Sequence, residues 1–217
     1  ITRVNVIIFG PPGAGKGTQA QNIAKKFNLH QISTGDLLRS EIKKETEIGK
    51  EIESIISEGE FATDVIVNKL LDKIIRNPDY KNRIIFDGYP RNISQAENLK
   101  TSLSKDSQSI GAVLYLYVSR NIIEKRIIGR ITCEKCNKIL NEFFNSKEEI
   151  ENHECGKDHL KKRKDDNYKT IATRYDVYME RTKPVVDFYS SLSYFHEIDA
   201  SQKIEVIASK IEQILNL

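Results

Sequence analysis

Short apolar runs alternate along the chain with longer stretches in which apolar residues recur every three or four positions. Residues 4–9, 83–86, 112–117 and 195–198 read as buried strands, and 29–32 as a weaker fifth. Residues 15–27, 64–75, 94–103, 120–129, 170–192 and 203–215 carry the spacing of helices, with Ile204, Ile207, Ile211 and Ile214 on one face of the last. Strand alternating with helix predicts an α/β fold, a parallel five-stranded sheet covered by helices on both faces. Two stretches break the rhythm. Residues 34–62 give helix after helix (35–43, 48–58) without a strand, which predicts an insert at the sheet's edge. Residues 129–166 are rich in Lys and Glu and hold all three Cys. Such a stretch buries little apolar surface, so it needs a staple or a ligand to keep its shape.

Composition narrows the class. A chain of 217 residues supports one substantial core with inserts, and 39% hydrophobic with 30% charged residues is the balance of a soluble globular protein. A net charge of +3 is too small for a protein devoted to wrapping nucleic acid. Three Cys cannot all pair within one chain, and the Cys133-x2-Cys136 spacing suits metal or redox chemistry in a reducing compartment. The longest early apolar run, 4–9, is interrupted by Asn5 and stops at Gly10, far short of the ~20 residues of a membrane span. A cytoplasmic protein without a membrane partner is the expectation.

The first strand leads directly into GPPGAGKGT at residues 10–18 and then into a helical pattern. Strand, Gly-rich loop and helix N-terminus in that order form a phosphate cradle. Gly10, Gly13, Gly15 and Gly17 let backbone N–H groups turn inward, the helix dipole favours an anion, and Lys16 adds a full charge. A dinucleotide loop is disfavoured, because Thr18 stands where the third small residue belongs and a Lys lies inside the motif. Gly17 separates Lys16 from Thr18, where a hydroxyl residue usually follows the Lys at once. Asp87 ends the third apolar run beside the loop, placing a carboxylate where Mg2+ would lie, directly or through water. Arg39, Arg91, Arg126, Arg130, Arg163 and Arg174 cluster at loop breaks and at both ends of the Cys-bearing insert, as phosphate-gripping guanidinium groups would. Arg126 and Arg130, four apart, are expected on one helical face.

Taken together, GPPGAGKGTQA, STGDLLR at 33–39, DGYPR at 87–91 with Gln95 four on, EKRIIGR at 124–130, and RKDDN at 163–167 followed by Arg174 resemble adenylate kinases of the long-lid type. The resemblance runs from about residue 4 to 190. It implies a core P-loop domain (1–32, 63–124 and 167–217), an AMP-binding insert (33–62) and a lid (125–166). It also implies Mg-dependent, reversible transfer, ATP + AMP = 2 ADP, and favours a monomer.

Position by position, the resemblance puts ATP on Gly13, Ala14, Gly15, Lys16, Gly17, Thr18, Arg126, Arg130 and Gln202. AMP falls to Thr34, Gly35, Arg39, Ala62, Gly88, Arg91, Gln95, Arg163 and Arg174. Lys16, Arg91, Arg130, Arg163 and Arg174 would stabilise the transferring phosphoryl group, and Asp165 and Asp166 would help shut the lid. A monophosphate acceptor is largely ionised near neutral pH, its second pKa being about 6, so no general base is required. Thr34 and Gln95 point to AMP; Asn92 is the feature shared with the pyrimidine monophosphate kinases. The sequence around Gln202 departs from the family pattern, which leaves the choice of ATP or GTP as donor open.

Cys133-x2-Cys136 and, 18 residues on, Cys155-x2-Asp158 have the spacing of two metal knuckles. The resemblance to zinc-bearing lids supports Asp158 as fourth ligand of a structural Zn2+, while chemistry alone allows His153 or His159. A nucleic-acid-binding zinc module is disfavoured by Asp158, Asp165 and Asp166 in and beside the basic run 157–164 and by sparse aromatic residues there. A GTPase or motor-type ATPase would share the loop but need no monophosphate acceptor. His30, His196, Tyr115 and Tyr117 sit in or beside strands and read as structural.

Overall fold

The computed structural model describes residues 4–57, 62–162 and 167–216. Five strands form the central sheet: β1 (Asn5–Phe9), β2 (His30–Ser33), β3 (Ile84–Asp87), β4 (Ile110–Tyr117) and the late strand Phe195–Asp199. All pair in parallel, in the spatial order second, third, first, fourth, last. The expected α/β sheet is therefore present.

Side chains alternate across the pleat, so β1 sends Ile7 and Phe9 to one face and Val6 and Ile8 to the other. On the first face they meet Val67, Leu71 and Ile75 of a helix at Asp64–Ile75 and Leu99 and Leu103 of one at Ile93–Lys105. On the second they meet Ala20 and Ile23 of α1 (Lys16–Phe27) and Ile207, Ile211 and Leu215 of the last helix, Ile204–Leu215. Ile204, expected on the buried face, is exposed as the first residue of that helix. Both sheet faces are thus covered, and the apolar runs read as continuous for that reason.

The first insert holds α2 (Thr34–Lys43) and α3 (Glu47–Ser57), and α4 is the helix Asp64–Ile75. Leu38, Ile42, Ile48 and Ile52 pack with Ile66 and Leu70 of α4 into a small separate core. Helix α5 is Ile93–Lys105, and α6 is Arg120–Ile128. Helix α6 ends before Arg130, which opens β5 (Arg130–Cys133), so Arg126 and Arg130 do not share a helical face. Gly129 makes the break: its Cα lies so close to Phe143 that a Cβ would meet the ring at 2.4 Å.

Strands β5, β6 (Ile139–Asn141) and β7 (Leu160–Lys161) form a small antiparallel sheet around buried Ile131, Cys133 and Leu140. The short helix α7 (Lys147–Glu151) opens with a capping box between Ser146 and Glu149. The stretch expected as one helix over 170–192 begins earlier and is interrupted. Asn167 caps α8 (Tyr168–Val177) by accepting from Thr170 N at 3.0 Å. A π turn follows over Tyr178–Thr182, before α9 (Lys183–Tyr189). Pro184 has no N–H for the carbonyl of Glu180, and Lys183 N bonds Tyr178 O instead. The last strand and helix, introduced above, are β8 and α10.

Candidate active site

The loop between β1 and α1 is fixed by backbone conformation first. Gly13 sits at φ +80°, and a Cβ there would lie 2.8 Å from Ile127 Cγ1 of α6, so both conformation and close packing demand Gly. Lys16 arches back over the loop and donates to Gly10 O at 2.8 Å and Pro11 O at 3.1 Å. Desolvation in the cleft holds its ammonium down at about 8; Asp87 opposes this, and the charges of Arg91 and Arg130 reinforce it. Arg91 and Arg130 thus act on Lys16 across a desolvated cleft, and positive charge gathered there suits a site that receives phosphate. Thr18 lies in the first turn of α1.

Asp87 ends β3 as expected, and Gln31 Nε2 donates to its Oδ2 at 2.9 Å. Its carboxylate lies 3.9 Å from where a Cβ on Gly17 would be, so it borders the phosphate loop. An acceptor-only carboxylate beside that loop fits a hydrated Mg2+. The same position on Gly17 lies 3.3 Å from Ile139 Cδ1, which brings the small sheet directly over the loop.

Gly88, at φ +80°, is the hub of the second half of the site. Its carbonyl accepts from Thr34 Oγ1 at 3.0 Å and from Arg91 Nε at 2.7 Å, and a Cβ on it would collide with Arg91 Nη2 at 3.0 Å. Gln95, buried, accepts from Arg91 N at 2.7 Å through Oε1. Arg39 pairs with Asp36 and lies against Gly35. Ala62 packs against the core beneath. Desolvation, then the charges of Arg174 and Arg39, pull Arg91 below its ordinary value, against Asp87. Arg39 and Arg174 therefore both act on Arg91, although the three come from α2, α8 and the loop after β3.

Arg126 Nη1 donates to Ala14 O at 3.3 Å and its guanidinium lies 5.9 Å from the Phe144 ring. Burial lowers it and Asp199 opposes. Gln202 Nε2 reaches the same Asp199 at 3.4 Å. Arg163, Asp165 and Asp166 lie outside the described residues. Phe144 escaped the reading of the sequence; an exposed aromatic in a polar insert was its only signal.

In the small sheet, ligand atoms of Cys133, Cys136, His153 and Cys155 all lie within 4.8 Å of one another. Asp158, expected as fourth member, is exposed in a 3₁₀ turn, Lys157–His159, and stands outside this group. The chain leaves α7 so that buried His153 faces the thiols, and Gly156 N closes the turn on His153 O at 2.7 Å. A tetrahedral zinc sets S and N ligand atoms about 3.5 to 3.8 Å apart, and Cys136 Sγ is 3.4 Å from His153 Nε2. His153 Nδ1, the other ring nitrogen, is buried and has no hydrogen-bond partner among the described residues. Burial opposes ionisation of Cys133, yet the Cys136 backbone N–H and His153 hold its thiol at about 6. Burial and the neighbouring thiols push Cys155 up to about 11. Three sulfur donors and one imidazole gathered this closely are the donor set of a tetrahedral zinc, and the residues present fit that ion.

The adenylate kinase family model matches residues 8–194. The adenylate kinase of Pelagibacter ubique is 58% identical over 214 residues, covering 99% of this chain and all of that protein. That of Archaeoglobus fulgidus is 37% identical, covering 98% of each chain. That of Listeria innocua is 35% identical, covering 98% of this chain and 99% of its own. With the phosphate loop, the Gly88 hub and the converging arginines already in place, these matches show that the chain belongs to the adenylate kinase family, phosphotransferases whose reaction is ATP + AMP = 2 ADP.

Proposed function

We propose that the two halves of the cleft divide the substrates, with ATP on the phosphate loop and AMP around Gly88. The observation that carries this division is the meeting of Lys16, Arg91, Arg130, Arg39, Arg174 and Asp87 in one electrostatic cluster between two separately built subsites. Lys16 leaves the loop carbonyls to hold the transferring phosphoryl group, while Arg39 and Arg91 grip the AMP phosphate bidentately. Arg130 and Arg174, with Arg163 from the lid, neutralise charge as it spreads over the transferring group. Arg126 and Phe144 offer flat faces to the donor's base. Thr34 and Gln95 read the adenine of AMP. Asp87 would hold Mg2+ through water, and the metal would supply charge neutralisation of the phosphates. Closure of the lid with Asp165 and Asp166 keeps water from the phosphoryl group.

Cys133, Cys136, His153 and Cys155 would hold a Zn2+ closed by four protein ligands, which is structural and ties β5 to the turn after α7. On the same reading the enzyme works as a cytoplasmic monomer without nucleic acid or membrane as partner; no described helix is long and apolar enough to cross a membrane. Equilibrium titration tests the division of the cleft. Arg91→Ala weakens AMP binding and spares ATP, and Lys16→Ala weakens ATP binding and spares AMP. Equal loss of both nucleotides in either variant contradicts it.

A further inference from the structure

Asp64 and Asn92 have no part in the roles assigned above, yet both meet Gln95. We propose that Asp64, held by Asn92, fixes the orientation of the Gln95 carboxamide and so makes the acceptor site select a 6-amino purine over a 6-oxo purine. The inference rests on the reading of Gln95 as the residue that faces the acceptor base.

Asp64 is the first residue of α4, behind the Thr63 cap, and its carboxylate faces the start of α5. Gln95 Nε2 donates to Asp64 Oδ1 at 2.7 Å. Asn92 Nδ2 donates to both carboxylate oxygens, at 3.1 and 3.0 Å, and Asn92 Oδ1 accepts from Gln95 N at 2.8 Å. Asn92 is thereby oriented itself, as the cap of α5 at one end and the clamp on Asp64 at the other. On its other side the Gln95 amide accepts from Arg91 N at 2.7 Å.

An ionised carboxylate only accepts and a backbone N–H only donates, so these two neighbours give the buried amide a single orientation. Turning it over would set NH2 against N–H and oxygen against carboxylate, with two hydrogen bonds lost in the interior. What remains is one N–H and one oxygen lone pair. Adenine presents the complement, an amino donor at position 6 and an acceptor at N1. A 6-oxo purine presents an acceptor and a donor in reversed order, and needs the amide turned over. Asn92 thus acts on Asp64 and on the helix cap, independently of any pyrimidine acceptor.

The test compares kcat/KM for AMP and inosine monophosphate in the unsubstituted enzyme and in Asp64→Asn, Asn92→Thr and Gln95→Ala. Asp64→Asn keeps the shape but offers Gln95 either a donor or an acceptor, so the AMP preference falls about tenfold. Asn92→Thr keeps a capping oxygen, loses the clamp and moves the ratio the same way, which decides the matter should Asp64→Asn not fold. Damage to the fold alone lowers both acceptors together and leaves the ratio unmoved. An unchanged ratio in both variants, with the preference lost in Gln95→Ala, overturns the role of Asp64 and leaves Gln95 as reader. An unchanged ratio in Gln95→Ala overturns the reading of Gln95 and the inference with it.

Discussion

Replacing Lys16 with Met keeps the length of the side chain and removes its charge, and it should make the ligand-free protein more stable while ending phosphoryl transfer. The ammonium sits at about 8 instead of 10.5 because the cleft desolvates it and Arg91 and Arg130 repel it. That depression corresponds to about 3 kcal/mol of unfavourable free energy while the group stays charged. The bonds to Gly10 O and Pro11 O are lost with the nitrogen, at about 0.5 to 1.5 kcal/mol each, so the net gain is about 1 kcal/mol. For a chain of this length that raises Tm by about 2 to 4 °C.

The pH dependence carries the sign. Below pH 8 folded and unfolded chains both keep the proton, and the penalty on the unsubstituted protein is constant. Between about 8 and 10.5 the folded chain releases it and the unfolded chain does not, so the unsubstituted protein gains stability as pH rises. The Lys16→Met variant lacks this gain. Calorimetry of both ligand-free proteins at pH 7 and pH 9.5 therefore shows the variant ahead at pH 7 and its lead shrinking or reversing at pH 9.5. A Tm for the variant well below that of the unsubstituted protein at pH 7, or a gap that does not change with pH, refutes the electrostatic reasoning about Lys16.

Zinc content after dialysis against a weak chelator falls in His153→Ala and stays in Asp158→Ala; retention in the first and loss in the second restores Asp158 as ligand. Asn5, fully buried, donates to Gln108 Oε1 and Ser109 O, each at 3.2 Å, and accepts from Ile84 N at 3.0 Å. Asn5→Ala removes all three bonds, although Gln108 Oε1 still accepts from Asn82 N at 2.9 Å, and costs about 2 to 3 kcal/mol in denaturant melts, with the AMP preference unchanged. Gly13→Ala forces a side chain into the φ +80° position and against Ile127, and lowers ATP affinity together with about 1 to 3 kcal/mol of stability. Wild-type ATP binding in that variant would show that the loop has no such constraint.

The sheet and the phosphate loop were legible because their signals are local and redundant: apolar runs buried on both faces, then glycines, Lys16 and a helix in order. The small sheet was not legible. Its strands are two to four residues long, and their pairing is set by a tight turn, with Cys133 N on Lys138 O at 2.9 Å, and by a long-range bond from Glu134 N to His159 O at 2.9 Å. The same fold decides which side chain stands beside the three thiols. The family resemblance favours Asp158, with His153 and His159 open on chemistry alone, but the chain folds back through α7 and brings His153, not Asp158, within 4.8 Å of the thiols. Asn28, in the left-handed region at the end of α1, also shifts the second strand to start at His30, since Leu29 N is still tied to Ala24 O at 3.0 Å. Asp64 was invisible for another reason: its partners Asn92 and Gln95 are 28 and 31 residues away, so only the packing of α4 against α5 brings them together.

The central claim is that this chain passes phosphoryl from ATP to a monophosphate acceptor read as adenine. A coupled assay with ATP and Mg2+, comparing AMP, CMP, UMP and GMP, tests it most directly. ADP should form with AMP far faster than with the other three, two ADP for each AMP consumed. ATP hydrolysis at a rate indifferent to every monophosphate would contradict it and remove the acceptor site built on Thr34, Arg39, Gly88, Arg91 and Gln95.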